Sequence, residues 1–284
     1  MSAPATSATT ATATTATLPD LSSDDKLTPE QIAQFQRDGH ILLRGVLSPA
    51  EVAAYKPVIA QAVKDYATEV RPLADRDTYG KAFLQVMNLW LRDEDVKKFT
   101  LARRFAKIAA DLLGVDGTRI YHDQALHKEA GGGPTPWHQD QFYWPLANAN
   151  AITMWMPFTE VPIEAGALTF ATGSQKDGYL SAIPISDLSE AHYNNYVAEK
   201  KLKVHVEPLH AGDCTFHYGW TLHKAPGNNG KQTREVMTVI YIQDKMQIIE
   251  PDNQNRWNDL NTWFPGRKPG EYGDTAINPL VYKR

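Results

Sequence analysis

The chain reads as a mainly β protein with flanking helices, a sandwich or rolled barrel carrying its early helices on one outer face. Two observations predict this. Up to Gly114 the apolar residues recur at helical spacing between capping signals. From Arg119 onward the period falls to two, and Gly, Pro and Asn punctuation becomes frequent. Helices first and strands afterwards is the pattern of a β core with helices segregated to one side, not of alternating βαβ units.

Thr28-Pro29-Glu30-Gln31 opens the first helix with a Thr cap, Pro in the first turn and Gln where a capping box wants it. Gly39 closes it, and Ile41, Leu42 and Leu43 follow as a short strand. Ser48-Pro49-Ala50-Glu51 repeats the start signal, and behind it Val52, Tyr55, Ile59, Ala62, Val63 and Tyr66 share one helical face. The spacing predicts a third helix over 94–113, with Phe99, Phe105, Ile108 and Leu112 inward. Strands are predicted over 120–128, 152–161, 167–172, 202–208, 214–218 and 235–243. The polar stretch 175–201 reads as an insertion or lid. Residues 1–22 are mostly Ala, Thr, Ser and Pro and read as a disordered tail, leaving 23–284 as a single domain.

Composition excludes several function classes. A formal net charge of −4 without a Lys/Arg block gives no reason to expect nucleic acid. Cys214 is the single cysteine, so neither an intrachain disulfide framework nor a thiolate zinc cluster is available. No apolar run approaches the ~18 residues of a membrane span, and the N-terminal stretch has neither the basic start nor the apolar run of a signal peptide. The expectation is a cytoplasmic protein acting on a small molecule, with no nucleic-acid or membrane partner and its oligomeric state unspecified.

The chemistry concentrates in His138-Gln139-Asp140, His223 and Arg234. Two imidazoles and one carboxylate can occupy one face of an Fe(II) ion and leave the other face open for O2 and a co-substrate. Residues two apart on an extended strand point the same way, so His138 and Asp140 can reach one ion. His217 competes with His223 as the second imidazole, and its alternative reading is a satisfied core histidine. His223 is preferred because residues 224–230 turn the chain at once, returning the next strand and Arg234 alongside the ligand. Arg234 opens the apolar run 236–242, and a buried arginine needs a partner. That partner is either an internal carboxylate or the carboxylate of a co-substrate, held by the guanidinium fork.

Combined, His138-Gln139-Asp140, Gly212-Asp213, Phe216-His217, His223, Pro226-Gly227-Asn228 and Arg234 resemble the phytanoyl-CoA dioxygenase family. Its pattern is HxD, then GD…FH…H, a Gly/Pro/Asn turn, and Arg eleven residues after the distal His, as here. Glu164-Ala165-Gly166-Ala167-Leu168 and Gly173-Ser174-Gln175-Lys176 are similar to a further family segment, with Gln175 replacing its usual His. The resemblance runs from about Leu27 to Tyr241. It implies a double-stranded β-helix (jelly-roll, cupin-like) core holding Fe(II) through His138, Asp140 and His223. It also implies that Arg234 binds the distal carboxylate of 2-oxoglutarate, with Gln85, Gln124 and Trp155 near the co-substrate pocket. Ala225 stands where some relatives place a hydroxyl beside the arginine. The activity implied is hydroxylation of a small-molecule C–H bond with release of succinate and CO2. Asp140 keeps the carboxylate that halogenating relatives replace with Ala or Gly. The rival readings are a redox-silent cupin-type isomerase or epimerase, and a non-catalytic β-sandwich binding module.

The substrate is less defined. Trp90, Trp137, Phe142, Tyr143, Trp144, Tyr218 and Trp220 are candidates to line a cavity or simply to pack the core. His127, Lys128 and Glu129 are candidates to orient a polar group or to face water.

Overall fold

The computed structural model describes residues 17–76 and 78–284. The expected tail lies mostly outside these residues. Its last part is packed: Leu21 is buried, the Tyr55 hydroxyl donates to the Pro19 carbonyl at 2.7 Å, and the Arg104 N–H donates to that of Leu21 at 3.1 Å. The packed chain therefore starts before the expected boundary at Ser23.

The elements in chain order begin with α1 (Pro29–Asp38), β1 (His40–Leu43), α2 (Pro49–Tyr66), α3 (Thr78–Ala82) and β2 (Leu84–Met87). Then come α4 (Glu94–Thr100), α5 (Arg103–Leu113), β3 (Gly117–Lys128), β4 (Thr135–His138), β5 (Ala151–Pro157) and β6 (Thr169–Ala171). The chain finishes with α6 (Asp187–Glu199), β7 (Val204–Val206), β8 (Cys214–Tyr218), β9 (His223–Ala225), β10 (Arg234–Gln243), α7 (Gln254–Trp263) and β11 (Leu280–Lys283). Both predicted capping boxes form, at Thr28 and at Ser48. No helix among the described residues is long and apolar enough to cross a membrane.

The strands form two antiparallel sheets, as a double-stranded β-helix requires. The large sheet runs β1-β8-β5-β10-β3-β11, with β2 also on β3; the small sheet runs β4-β9-β6-β7. Alternation gives each long strand two jobs. On β10, Met237, Val239 and Tyr241 join the helix-side core with α2, α4 and α5. Arg234 and Thr238 project instead into the space between the sheets. On the helix side Phe99 gathers Tyr55, Phe105 and Phe158 at ring separations of 5.7, 5.1 and 5.5 Å.

The helix predicted over 94–113 is two helices. Ala102 is extended (φ −62°, ψ 123°), and tertiary partners hold both sides of the break. Thr100 donates its hydroxyl to Asp123, and Arg104 binds Glu51, Ser23 and the Val46 carbonyl. The 175–201 stretch contains α6, which packs on β4: the Trp137 N–H and indole N–H donate to Glu190 and Asn194 at 2.9 and 2.8 Å.

Asp123 is a buried carboxylate on the helix side of β3. Its carboxylate accepts from the N–H groups of Leu89 and Trp90 (2.9 and 3.1 Å) and from Thr100 (3.0 Å), clamping the chain after β2 onto the sheet. Asp123→Ala would strand three buried donors, and we expect it to lower unfolding stability by roughly 3–5 kcal/mol. A urea midpoint within error of wild type would show that this clamp does not carry stability.

Candidate metal centre

β4 and β9 lie side by side at the edge of the small sheet, with His138 and His223 in direct register and their rings 4.1 Å apart. β4 ends at His138, yet Gln139 remains extended (φ −116°, ψ 123°) before the chain turns at Asp140. The period of two therefore holds across all three residues. Gln139 points the opposite way, where its amide donates to the carbonyls of Gly178 and Trp220, both at 2.7 Å. His138 and Asp140 point together. One ligand atom from each of His138, Asp140 and His223 lies within 4.8 Å of the others.

Hydrogen bonds fix how each group presents itself. Nδ1 of His138 donates to the Pro136 carbonyl at 2.8 Å, and Nδ1 of His223 to that of Thr221 at 3.0 Å. A carbonyl only accepts, so each proton sits on Nδ1 and each Nε2 lone pair is left for the centre. Asp140 Oδ2 accepts from Thr153 (2.8 Å) and from His217 Nε2 (3.2 Å). Oδ1 faces His138 Nε2 at 3.4 Å and His223 Nε2 at 3.6 Å. Burial opposes ionisation of Asp140, but positive charge shared with the imidazoles of His223, His138 and His217 outweighs it and holds the carboxyl well below its ordinary range; where the imidazoles are neutral, a bound metal ion would supply that charge. Burial, reinforced by His138 and His217, pushes His223 well below the usual imidazole range. A carboxylate and two imidazole lone pairs converging on one point can hold a divalent metal with positions left open, and Fe(II) fits this donor set.

The centre opens into a cavity of about 480 Å³ between the sheets. Arg234, Trp155, Gln85, Gln124, Leu168 and Ala225 line one part of it; His122, Tyr143, Trp144, Ile185, Asp259 and Trp263 line another. Arg234 is 3 % exposed, stacks over the Trp155 ring at 5.1 Å and donates to the Gly166 carbonyl at 2.6 Å. Its Nε is buried without a hydrogen-bond partner, and among the described residues no carboxylate pairs with it. Burial pulls the guanidinium down to about 9, still charged at neutral pH. Gly166 has φ +92°, and a Cβ there would sit 3.1 Å from Arg234 Nη1, so glycine is needed for this approach. Gln85 donates to Gln124 at 2.6 Å.

Comparison with known proteins agrees with this geometry. Residues 35–236 match the model of the family described as Phytanoyl-CoA dioxygenase (PhyH). The chain belongs to the phytanoyl-CoA dioxygenase family. Among curated relatives it is 21 % identical over 228 residues to a Stutzerimonas stutzeri protein named "Probable alpha-ketoglutarate-dependent hypophosphite dioxygenase", covering 75 % of this chain and 77 % of the relative. Among solved structures it is similar to the non-heme alpha ketoglutarate dependent carbocyclase SnoK from nogalamycin biosynthesis. That match has TM-score 0.75 and 23 % identity, covering 90 % of this chain and 96 % of the other. It is also similar to the epimerase SnoN in complex with Fe3+, alpha ketoglutarate and nogalamycin RO, with TM-score 0.72 and 26 % identity, covering 89 % and 97 %.

Several expected placements change within this family fold. The turn after His223 does not return Arg234 beside its ligand strand. β9 pairs with β4 and β6, β10 with β3 and β5, so Arg234 reaches the cavity from the opposite sheet. Of the seven candidate aromatics, only Tyr143 and Trp144 line the cavity; Trp137, for example, packs between β4 and α6. His127, Lys128 and Glu129 do not line it, and Glu129 is paired with Arg76. His217 is more than a core histidine, since it holds the candidate ligand Asp140. The FH portion of the motif was its signal. Thr153 and His122 follow from strand alternation, whereas Asp259 and Trp263 lie beyond the segment that resembles the family.

Loss of one ligand and loss of its support should separate. His223→Ala should abolish stoichiometric Fe(II) binding, whereas Thr153→Val and His217→Phe should weaken it by about 10–100-fold. Anaerobic ferrous titration distinguishes these. If His217 proves essential and His223 dispensable, the ligand assignment is wrong.

Proposed function

We propose that His138, Asp140 and His223 hold Fe(II), that Arg234 binds the distal carboxylate of 2-oxoglutarate, and that the enzyme hydroxylates a C–H bond of a small molecule with release of succinate and CO2. Family membership makes the chain an iron- and 2-oxoglutarate-dependent dioxygenase. The observation that carries the residue assignment is Arg234: a fully desolvated guanidinium with no carboxylate partner, opening onto the cavity that starts at the His-Asp-His cluster. Burying such a charge costs several kcal/mol unless a partner arrives, and a dicarboxylate that reaches the metal supplies one. Iron, when bound, supplies the oxygen chemistry. The chain's own residues orient and protect it. The Trp155 ring lies under the guanidinium, the Gln85–Gln124 pair borders the co-substrate space, and Leu168 and Ala225 add apolar lining there.

A redox-silent isomerase or a binding module has no use for an unpaired anion clamp beside a metal site. The carbocyclase and epimerase among the structural neighbours are themselves named as alpha ketoglutarate dependent, so the fold hosts more than one outcome at this chemistry.

Purified protein with Fe(II) should convert 2-oxoglutarate to succinate slowly without added substrate. Arg234→Leu should raise the KM for 2-oxoglutarate while retaining iron. Removing one partner of a buried, charge-assisted hydrogen bond costs about 2–5 kcal/mol, or roughly thirty-fold or more. Arg234→Lys should rescue only in part, because an ammonium lacks the fork. An unchanged KM in Arg234→Leu would place the anchor elsewhere. With labelled O2, the product of the identified substrate should carry one labelled oxygen and need no halide. A halogenated product would rule out hydroxylation; an unlabelled product would point to desaturation, cyclisation or exchange with water, which the product mass separates.

A further inference from the structure

The cavity has a second polar end that the metal and the co-substrate leave unused. Positions along β3 locate it. Arg234 pairs with Lys128, Thr238 with Gln124, and Ile240 with His122; Thr153, which holds Asp140, lies in the His122 row. Tyr121 comes next, about seven residues or roughly 20 Å along the strand from Lys128. The support of Asp140 thus lies level with His122, and Tyr121 sits one residue farther from Arg234.

At the far end the register slips. His122 pairs with Ile240 but Ile120 with Tyr241, so Tyr121 is the extra residue of a β-bulge. Ile120 packs among the helices, while Tyr121 joins Trp144 and Phe264 on the other side. Bulges re-aim side chains in this way. The Tyr121 hydroxyl donates to Asp259 Oδ2 at 2.8 Å, and the Trp263 side chain, one turn later on α7, hydrogen-bonds the same carboxyl. Among the described residues no cation pairs with Asp259. Arg256, one turn earlier, is committed to Asp252 and the carbonyls of Phe142 and Gln141. Burial, only partly offset by those two hydrogen bonds, pushes the Asp259 carboxyl up to about 7. His122 lines the cavity too, its ring 4.9 Å from Trp263 and its Nδ1 buried without a partner.

We propose that Asp259 and His122 form a substrate subsite for a small, non-anionic molecule. Such a substrate presents a hydroxyl or protonated amine to Asp259 while its apolar face lies against Trp144 and Trp263. The inference rests on the oxygenase reading above and names the substrate class. A carboxyl without a cation partner, facing an aromatic wall, is stabilised by a further donor and repels an anion. Arg234, at the opposite end, is left to the one dianion this chemistry needs.

The test is calorimetric titration of the anaerobic protein loaded with iron and 2-oxoglutarate. The probes are phenyl, cyclohexyl and naphthyl skeletons, each carried as the methylamine, the methanol and the carboxylate. Amines or alcohols should bind at least tenfold more tightly than the matched carboxylates. Asp259→Asn, which keeps shape and an acceptor for Tyr121, should shrink that preference below threefold, and Tyr121→Phe should keep it. The wild-type panel reads the preference even if the Asn variant does not fold. Equal or tighter binding of carboxylates, binding of no probe, or a preference unchanged in Asp259→Asn would overturn the proposal. Substrate-free succinate release is measured on aliquots of the same samples after O2 is admitted. Its absence would strike the oxygenase reading, whereas its presence with the wrong probe preference strikes only this subsite.

Discussion

How Asp140 is held decides what the two sheets can do together. The residue belongs to the small-sheet side, at the end of β4, but its Oδ2 is bonded by Thr153 on β5 and His217 on β8 of the large sheet. That polar stitch crosses the middle of the molecule and leaves Oδ1 for the centre. Three lone-pair-bearing atoms are then crowded, with gaps of 3.4 and 3.6 Å from Oδ1 to the two imidazoles. Without a cation such an arrangement is a net cost, and an apolar filling of the same volume would be more stable. The cost is tolerated because the opposite face of the large sheet is well packed against helices, so stability and chemistry draw on different faces of the same strands.

This division explains what was legible in the sequence. The alternation along β10 is strict, so a run that looks almost uniformly apolar still sends Arg234 and Thr238 to one face and Met237, Val239 and Tyr241 to the other. The caps at Thr28 and Ser48 are local hydrogen-bond chemistry and need no tertiary context, which is why both could be read directly. The break at Ala102 is the reverse case. Nothing in residues 94–113 interrupts the helical period, and the partners that impose the break are Asp123, Glu51 and Leu21, distant in sequence. Helices α6 and α7 are polar and are set by what they pack against, so periodicity could not reveal them.

At the site, the convergence of His138, Asp140 and His223 and the burial of Arg234 could be read because strand alternation and spacing constrain them locally. The sheet that carries Arg234 could not, since a turn of fixed length can return to the same sheet or cross to the other. The bulge at Tyr121 was equally hidden: it is a mismatch between two strands and leaves no mark on either one alone.

The choice of arginine as the buried cation follows from its neighbour. Lys128 lies directly across from Arg234, is fully buried, and donates to the Gly133 carbonyl. Burial, with the adjacent guanidinium adding to it, pulls this ammonium down to about 7. Two full charges side by side without a carboxylate would be hard to sustain in so dry a place. The lysine can relieve the conflict by losing a proton, whereas the guanidinium, starting several units higher, remains charged at about 9. The pair thus keeps one permanent cation, Arg234, at the end of the cavity. A buried ammonium in the Arg234 position would lose its proton more readily and hold an anion less well, quite apart from its lack of a fork.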